Sequence, residues 1–436
     1  MAARLHADLP FAPRRLPFFY GWVVVGASTA GILFSIPGQT MGVSVFTDPL
    51  LGATGLDRSW LSAAYMLGTL GSAALLPRAG VLLDRLGVRA SAMIAAIALA
   101  AVLTVLAQVD RLATGLGGGP TVTFGLLAAL FVGLRFSGQG VMTLASRTML
   151  ARWFDQRRGR ATAVSGLFVA LGFAYAPRLL HAWIERSGWR GAWLEMALVE
   201  VVAMGLLAFL LFREDPESCG LSLDGAAAAP AERPAEAATT RGQALRTRAF
   251  WVLTLALAFH GMVLTGITFH IVDLGAQQGL SEVAALDVFP PFAVVSTAAG
   301  AFLGWLTDRV AIRALVVTML LSEAVGYAAS AHLGHPLGFW LAALGLGLAG
   351  GHFSVLTAVG HPRFFGRRHL GAISGASMTA VVVGSALGPY ALAVSRSGLG
   401  SYSPALYASA ALPLALLLFT VAPLHRRDVP PGSGAR

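Results

Sequence analysis

The chain has 436 residues, of which 56% are hydrophobic and 12% charged, and its formal net charge is +10. A mean hydropathy of +0.71, with apolar residues gathered in runs of about 20, the length that crosses a bilayer, excludes a soluble globular domain. The positive charge invites a nucleic-acid partner, but its placement argues against one, because every basic residue is Arg and most gather in alternate loops.

Hydropathy places twelve spans, at 18–42, 59–79, 90–109, 121–150, 160–182, 190–212, 249–272, 284–307, 313–332, 337–361, 369–394 and 403–424. A tail of residues 1–17 carries Arg14 and Arg15. The apolar run from Phe18 lacks a small-residue cleavage site, so it is read as a retained first helix. Arg85 and Arg89, Arg152 to Arg160, Arg241 to Arg248, Arg309 and Arg313, Arg363 to Arg368, and Arg426 and Arg427 mark every second loop. The intervening loops hold only Arg58, Arg111, Arg186, Arg190 and Arg396. The positive-inside rule then puts both termini in the cytoplasm of a multi-pass membrane protein, as in a bacterial inner membrane. Residues 213–248, with Pro230, Glu232, Pro234 and Glu236, form a polar linker between an 18–212 half and a 249–424 half, and 425–436 form a tail. The single Cys219 rules out an intrachain disulfide.

Helix 1 contains Ser35-Ile36-Pro37-Gly38-Gln39-Thr40. Proline removes a helix hydrogen bond, and such breaks persist only against protein or a watery cavity, where Gln39 and Thr40 offer polar contacts. Arg135 lies well inside helix 4, and a guanidinium there costs at least about 2.5–3.5 kcal/mol on insertion scales, which makes function its default reading. With Gln139, Thr143 and Ser146 it forms a polar stripe at i, i+4, i+8 and i+11. A planar guanidinium suits bidentate capture of a carboxylate, or tuning of a proton carrier. His270 in helix 7 and His352 in helix 10 are candidate proton carriers, set against the plainer role of packing. Glu195, Glu200 and Glu323 are read as structural pairs. No metal, ATP or hydrolase motif is found: the only His pair at helical spacing, His332 and His335, brackets Gly334 in a short loop that Pro336 follows.

One sentence is written twice: Gly80-Val81-Leu82-Leu83-Asp84-Arg85-Leu86-Gly87-Val88-Arg89 and Gly304-Trp305-Leu306-Thr307-Asp308-Arg309-Val310-Ala311-Ile312-Arg313. A shift of 224 residues aligns the two copies and also Gly55-Leu56 with Gly279-Leu280. Gly172-x-x-x-Ala176-Pro177 in helix 5 answers Gly384-x-x-x-Gly388-Pro389 in helix 11, small residues that allow close helix approach beside a bending Pro. Ala311 stands where the first copy has Gly87, so the second turn is expected to be less tight.

The repeated turn resembles the G-x-L-x-D-R-x-G-x-R signature of the major facilitator superfamily. Phe19-Tyr20-Gly21-Trp22 and the Arg152-Trp153-Phe154 to Arg160-Ala161 loop are most similar to its monocarboxylate transporter and oxalate/formate exchanger branch. The resemblance implies an all-α membrane protein of twelve transmembrane helices in two pseudo-symmetric six-helix halves around a central cavity. It implies a monomeric secondary transporter, not an enzyme, that moves a small organic anion by alternating access, with protons or exchange as coupling and no cofactor. Asp84, Arg85, Arg89, Asp308, Arg309 and Arg313 would then form a gating latch. Helix 8 departs from that branch in having no basic residue, with Pro290-Pro291 instead. A drug/proton antiporter of the same fold and a non-transporting membrane sensor stay open as alternatives.

Overall fold

The computed structural model describes residues 8–154, 157–223, 239–307, 309–365 and 370–420. The elements among them are helical, and ten helices are long and apolar enough to cross a membrane. One of the ten, Arg160–Leu211, is 52 residues long. It bends at Gly188 and makes two crossings, α5 (158–187) and α6 (189–211). The shorter α1, Gly21–Phe34, resumes after a break as Thr40–Ser44, and with it the crossings number twelve. The others are α2 (Arg58–Leu86), α3 (Val88–Leu106), α4 (Pro120–Trp153), α7 (Arg248–Ala276), α8 (Phe289–Leu306), α9 (Ile312–Ser330), α10 (Pro336–Phe365), α11 (Leu370–Leu399) and α12 (Ser403–Leu417). The chain divides into two compact units, Met1–Ala231 and Glu232–Arg436.

Local chemistry explains the helix starts. Asp57 caps α2 by accepting from the Trp60 amide at 2.9 Å, and Thr247 caps α7 by accepting from the Phe250 amide at 3.2 Å. Pro290 and Pro291 occupy the first turn of α8, where no amide donor is needed. Helix 8 therefore begins at Phe289, and Glu282–Leu286 forms a separate short helix, in place of the single 284–307 span. Large apolar side chains stay exposed in rows on α3 (Ile94, Ile97) and α6 (Leu198, Val202, Leu206), the surfaces a lipid tail covers.

The two copies of the repeated turn fold differently. In the first, α2 runs through Asp84 and Arg85 to Leu86, and Gly87 alone makes the turn at φ +88°. In the second, α8 ends at Leu306 and Ala311 precedes α9 with φ −65° and ψ 142°. An L-residue cannot hold Gly87's conformation cheaply. With Ala at the matching place, the helix stops earlier and the connection lengthens. The side chain of Asp84, and Asp308 altogether, lie outside the described residues.

The first part of the 213–248 stretch is not the unburied linker that its composition predicts. Arg213 and Cys219 are 1% exposed. Arg213 donates to the carbonyls of Leu210, Phe212 and Phe11 and lies 5.0 Å over the Phe11 ring. Trp153 Nε1 closes the group by donating to the Arg213 carbonyl at 3.2 Å. Burial pushes the Cys219 thiol up from its ordinary value. The Ala run, Pro230, Glu232, Pro234 and Glu236 lie outside the described residues, as do 425–436.

Two outcomes follow from this packing. Gly87→Ala forces an alanine into a positive-φ turn and drives its Cβ into the Glu214 carboxylate, which pairs with Arg152 at 2.7 Å. It should destabilise the protein by about 1–2 kcal/mol, seen as a lower apparent Tm in detergent, whereas Ala311→Gly should cost under about 1 kcal/mol. Cys219, enclosed and with its thiolate disfavoured, should react with a water-soluble maleimide slowly in the native protein and fast once unfolded. Equal rates would contradict its burial.

Candidate functional site

The break in α1 and an irregular stretch of α4 meet. Ser35 ends the α-helical run of α1, Ile36–Gly38 form one 3₁₀ turn, and Gln39 is extended at φ −89° and ψ 160° before Thr40–Ser44 resume the helix. Opposite, residues Arg135–Met142 of α4 are wound as a π-helix. The wider winding admits an extra residue per turn and rotates everything that follows. Backbones touch there: a Cβ on Gly38 would lie 2.8 Å from Gly138 Cα and 2.9 Å from the Gln139 nitrogen, and a Cβ on Gly138 would lie 2.8 Å from Gly38 Cα.

Arg135 closes this contact. It is 2% exposed, donates from Nη1 to the Gly38 carbonyl at 3.0 Å, and its guanidinium sits 5.2 Å from the centre of the Tyr65 ring. Its Nε has no hydrogen-bond partner, and no acidic side chain pairs with it among the described residues. Tyr65 shares a 2.9 Å hydrogen bond with Thr40, so α2 joins the seam. Ser35 is the hub on the other side. Its hydroxyl donates to Ile32 O at 2.6 Å and accepts from Gln39 Nε2 at 2.9 Å and Thr143 Oγ1 at 3.2 Å, which fills its one donor and two acceptor places.

The structure thus brings together Arg135, Gln39, Thr40 and Thr143, and adds Ser35 and Tyr65. Gln139 is not among them. The π winding turns it outward to an exposed position while Arg135 points inward, so the stripe expected from α-helical spacing does not run straight. Ser146 faces α1, where its carbonyl accepts from Ser28 at 2.9 Å, and the next residue, Arg147, is exposed. Arg147 lies inside α4 and makes no hydrogen bond or ion pair among the described residues.

The other candidates lie elsewhere. His270 donates from Nε2 to the Pro389 carbonyl at 2.8 Å, and its ring lies 5.2 Å from that of Tyr402. Tyr402 in turn donates to Asp273 at 2.8 Å, and Arg396 pairs with the same carboxylate at 3.0 Å. His352 sits between α9 and α10, with Nε2 2.7 Å from Thr318 and Nδ1 2.8 Å from the Leu348 carbonyl, both nitrogens engaged. The two histidines belong to different helix pairs. Gly384 and Gly388 close α11 on the Ala258 and Met262 backbone of α7, and Gly172 closes α5, beside Pro177, on Leu33 of α1.

Among the gating candidates, Arg85 is exposed, while Arg89 is buried and donates from Nε to the Phe212 carbonyl at 2.8 Å. Arg89 thereby ties α3 to the end of α6 within one unit. Arg309 donates to the Trp305 carbonyl at 3.0 Å and covers that ring at 3.9 Å, and Arg313 is half-buried. Glu195 is paired with Arg186, Trp183 and Ser187. Glu200 and Glu323 are buried and, contrary to the pairing expected, meet no cation among the described residues; Glu200 lies in a second π stretch, Glu200–Met204. No group of three His, Cys, Asp or Glu able to hold a metal is found among the described residues.

A bundle of twelve apolar crossings in two units, with polar and charged side chains meeting where helices lose their regular winding, is the build of a membrane carrier. The family model of the Major Facilitator Superfamily matches residues 18–389, and the chain belongs to that superfamily of membrane transporters, which work by alternating access. In fold it is similar to a bacterial homologue of the human lysosomal transporter Spinster. The inward-facing unoccupied form of that protein aligns at TM-score 0.62 and the occupied form at 0.63, each with 16% identity over 92% of this chain and 94% of the other. No curated protein matches the chain in sequence.

The seam makes a sharp mutational contrast. Gly138→Ala must force the α1 and α4 backbones apart, while Gly125→Ala, on the same helix, meets open space. Overpacking should lower stability by about 1–3 kcal/mol in the first case, and the better helix former should add up to about 1 kcal/mol in the second. Apparent Tm values of the two purified variants against wild type check the contrast.

Proposed function

We propose that this chain is a secondary active transporter whose cargo is a small organic anion, such as a monocarboxylate or dicarboxylate, carried across the cytoplasmic membrane with protons or in exchange for a second anion. The observation that carries this reading is an unopposed positive charge. Arg135 is enclosed in the bundle, held by a carbonyl and an aromatic face, with no carboxylate beside it among the described residues. Desolvated and unneutralised, such a charge favours an anion nearby over a cation. Among the described residues, two carboxylates that would suit a cationic cargo are otherwise occupied: Asp48 pairs with Arg58 at 2.5 Å and Asp273 with Arg396 and Tyr402. Glu200 and Glu323 are shut inside α6 and α9.

The similarity of Phe19-Tyr20-Gly21-Trp22 and of the loop after α4 to monocarboxylate and oxalate/formate carriers supports the same cargo class. The alternate-loop arginines support cytoplasmic termini. The repeated Asp-Arg turns support a latch at the ends of α2 and α8.

Purified protein in liposomes, offered radiolabelled oxalate, formate, lactate and succinate with and without a pH gradient, tests the proposal. Uptake of at least one of these above empty liposomes is expected. Arg135→Gln should nearly abolish it, because the contact of α1 with α4 loses the guanidinium held between the Gly38 carbonyl and the Tyr65 ring, and Arg135→Lys, which keeps the charge but not the planar group, should be intermediate. Transport of a cationic drug in preference to all four anions, or ligand binding with no flux at all, would overturn it in favour of an antiporter or a sensor.

A further inference from the structure

Resting on the anion reading above, we infer that Arg147, with Gln139 and Thr143, is the part of α4 that touches the cargo, and that it binds a carboxylate group directly. Arg135 is then a positioning residue that holds the break of α1 against α4.

Few residues of α4 are exposed. Among the described residues these are Pro120, Thr121, Gly125, Ala129, Gln139, Arg147 and Ala151, and no large apolar side chain of α4 is exposed. Helices α3 and α6 of the same unit show the opposite, with Ile94, Ile97, Leu198, Val202 and Leu206 open. A face next to lipid tails carries large apolar side chains, and the open face of α4 carries none but does carry Gln139 and Arg147, which suits contact with water. This also disposes of snorkelling, in which an arginine lays its stem along exposed apolar neighbours to reach the surface. Arg147 has no such neighbours on its own helix, and it lies six residues, or roughly 9 Å, inside the Trp153 end of α4.

The π winding sets this face. Beyond Met142 the helix is regular again, and Thr143 and Arg147 stand one turn apart. Gln139, in the π stretch, is exposed as well. Thr143 is half-buried and already held by Ser35, which ties the stripe to the break of α1. Arg147 meets no carboxylate, no carbonyl and no hydroxyl among the described residues. A guanidinium inside a span normally finds such a partner, and a planar fork left without one on an exposed face fits a cargo carboxylate as that partner. Arg135 cannot serve in the same way, because it is enclosed and its Nη1 is spent on Gly38.

Two measurements test this. In a Cys219→Ser background in nanodiscs, where both membrane faces are open to water, Arg147→Cys should react with an anionic, water-soluble thiol reagent, while Ile97→Cys on α3 should not. Failure of Arg147→Cys to react overturns the inference whatever the cargo. In liposomes, the carboxylate that wild type carries best should require about ten-fold or more higher concentration for half-maximal uptake by Arg147→Gln, the loss expected for one charge-assisted contact, and Arg147→Lys should recover part of it. Unchanged half-saturation in Arg147→Gln overturns the role of Arg147 and leaves the anion transporter standing. Wild type that carries none of the carboxylates, but carries a neutral or cationic solute, overturns both.

Discussion

A guanidinium enclosed in an apolar bundle must find acceptors, and in this protein Arg135 finds one where α1 is broken. The carbonyl of Gly38 lies at the end of the 3₁₀ turn that follows Ser35, and Arg135 reaches it at 3.0 Å. Neither partner is well placed without the other's irregularity. The Pro37-Gly38 interruption presents the carbonyl, and Arg135, at the start of the π stretch of α4, faces it. The contact of Gly38 with Gly138 lets the two backbones come within reach. Ser35, Gln39, Thr40, Tyr65 and Thr143 then take their hydrogen bonds from the geometry so created.

Much of this was legible in the sequence, and what was not has a common cause. Spans, the two halves of the repeat, the break at Pro37 and the place of Arg135 deep in a span follow from hydropathy and spacing. The π winding does not, since no local residue type announces it. Its effect is to move the register by about one place. A stripe drawn at α-helical spacing from Arg135 reaches Ser146, which faces α1, and passes over Arg147, which does not. Arg147 also hides among the loop arginines that begin at Arg152, where charge counting assigns it to topology. Arg89 and Arg213 are hidden for a related reason. They read as surface charge, yet both are buried on backbone carbonyls at the end of α6, acceptors that composition cannot show.

The two units repeat in sequence and diverge in detail. Gly87 permits a one-residue turn and Ala311 does not, so the matching helices end at different places. The first unit gathers its polar side chains where α1 meets α4. The second spreads them, with His270 on the α11 backbone and His352 between α9 and α10. Its close glycine contacts instead join α7 to α11. The polar contacts are thus gathered in the first unit and dispersed in the second.

Recognition of a carboxylate by α4 is tested by pairing a change in the cargo with a change in the protein. Binding of the carried carboxylate and of its neutral amide analogue would be compared in wild type and in Arg147→Gln by equilibrium titration. Wild type should prefer the carboxylate by about ten-fold or more, and the preference should disappear in Arg147→Gln. A preference of the same size in both proteins would contradict it.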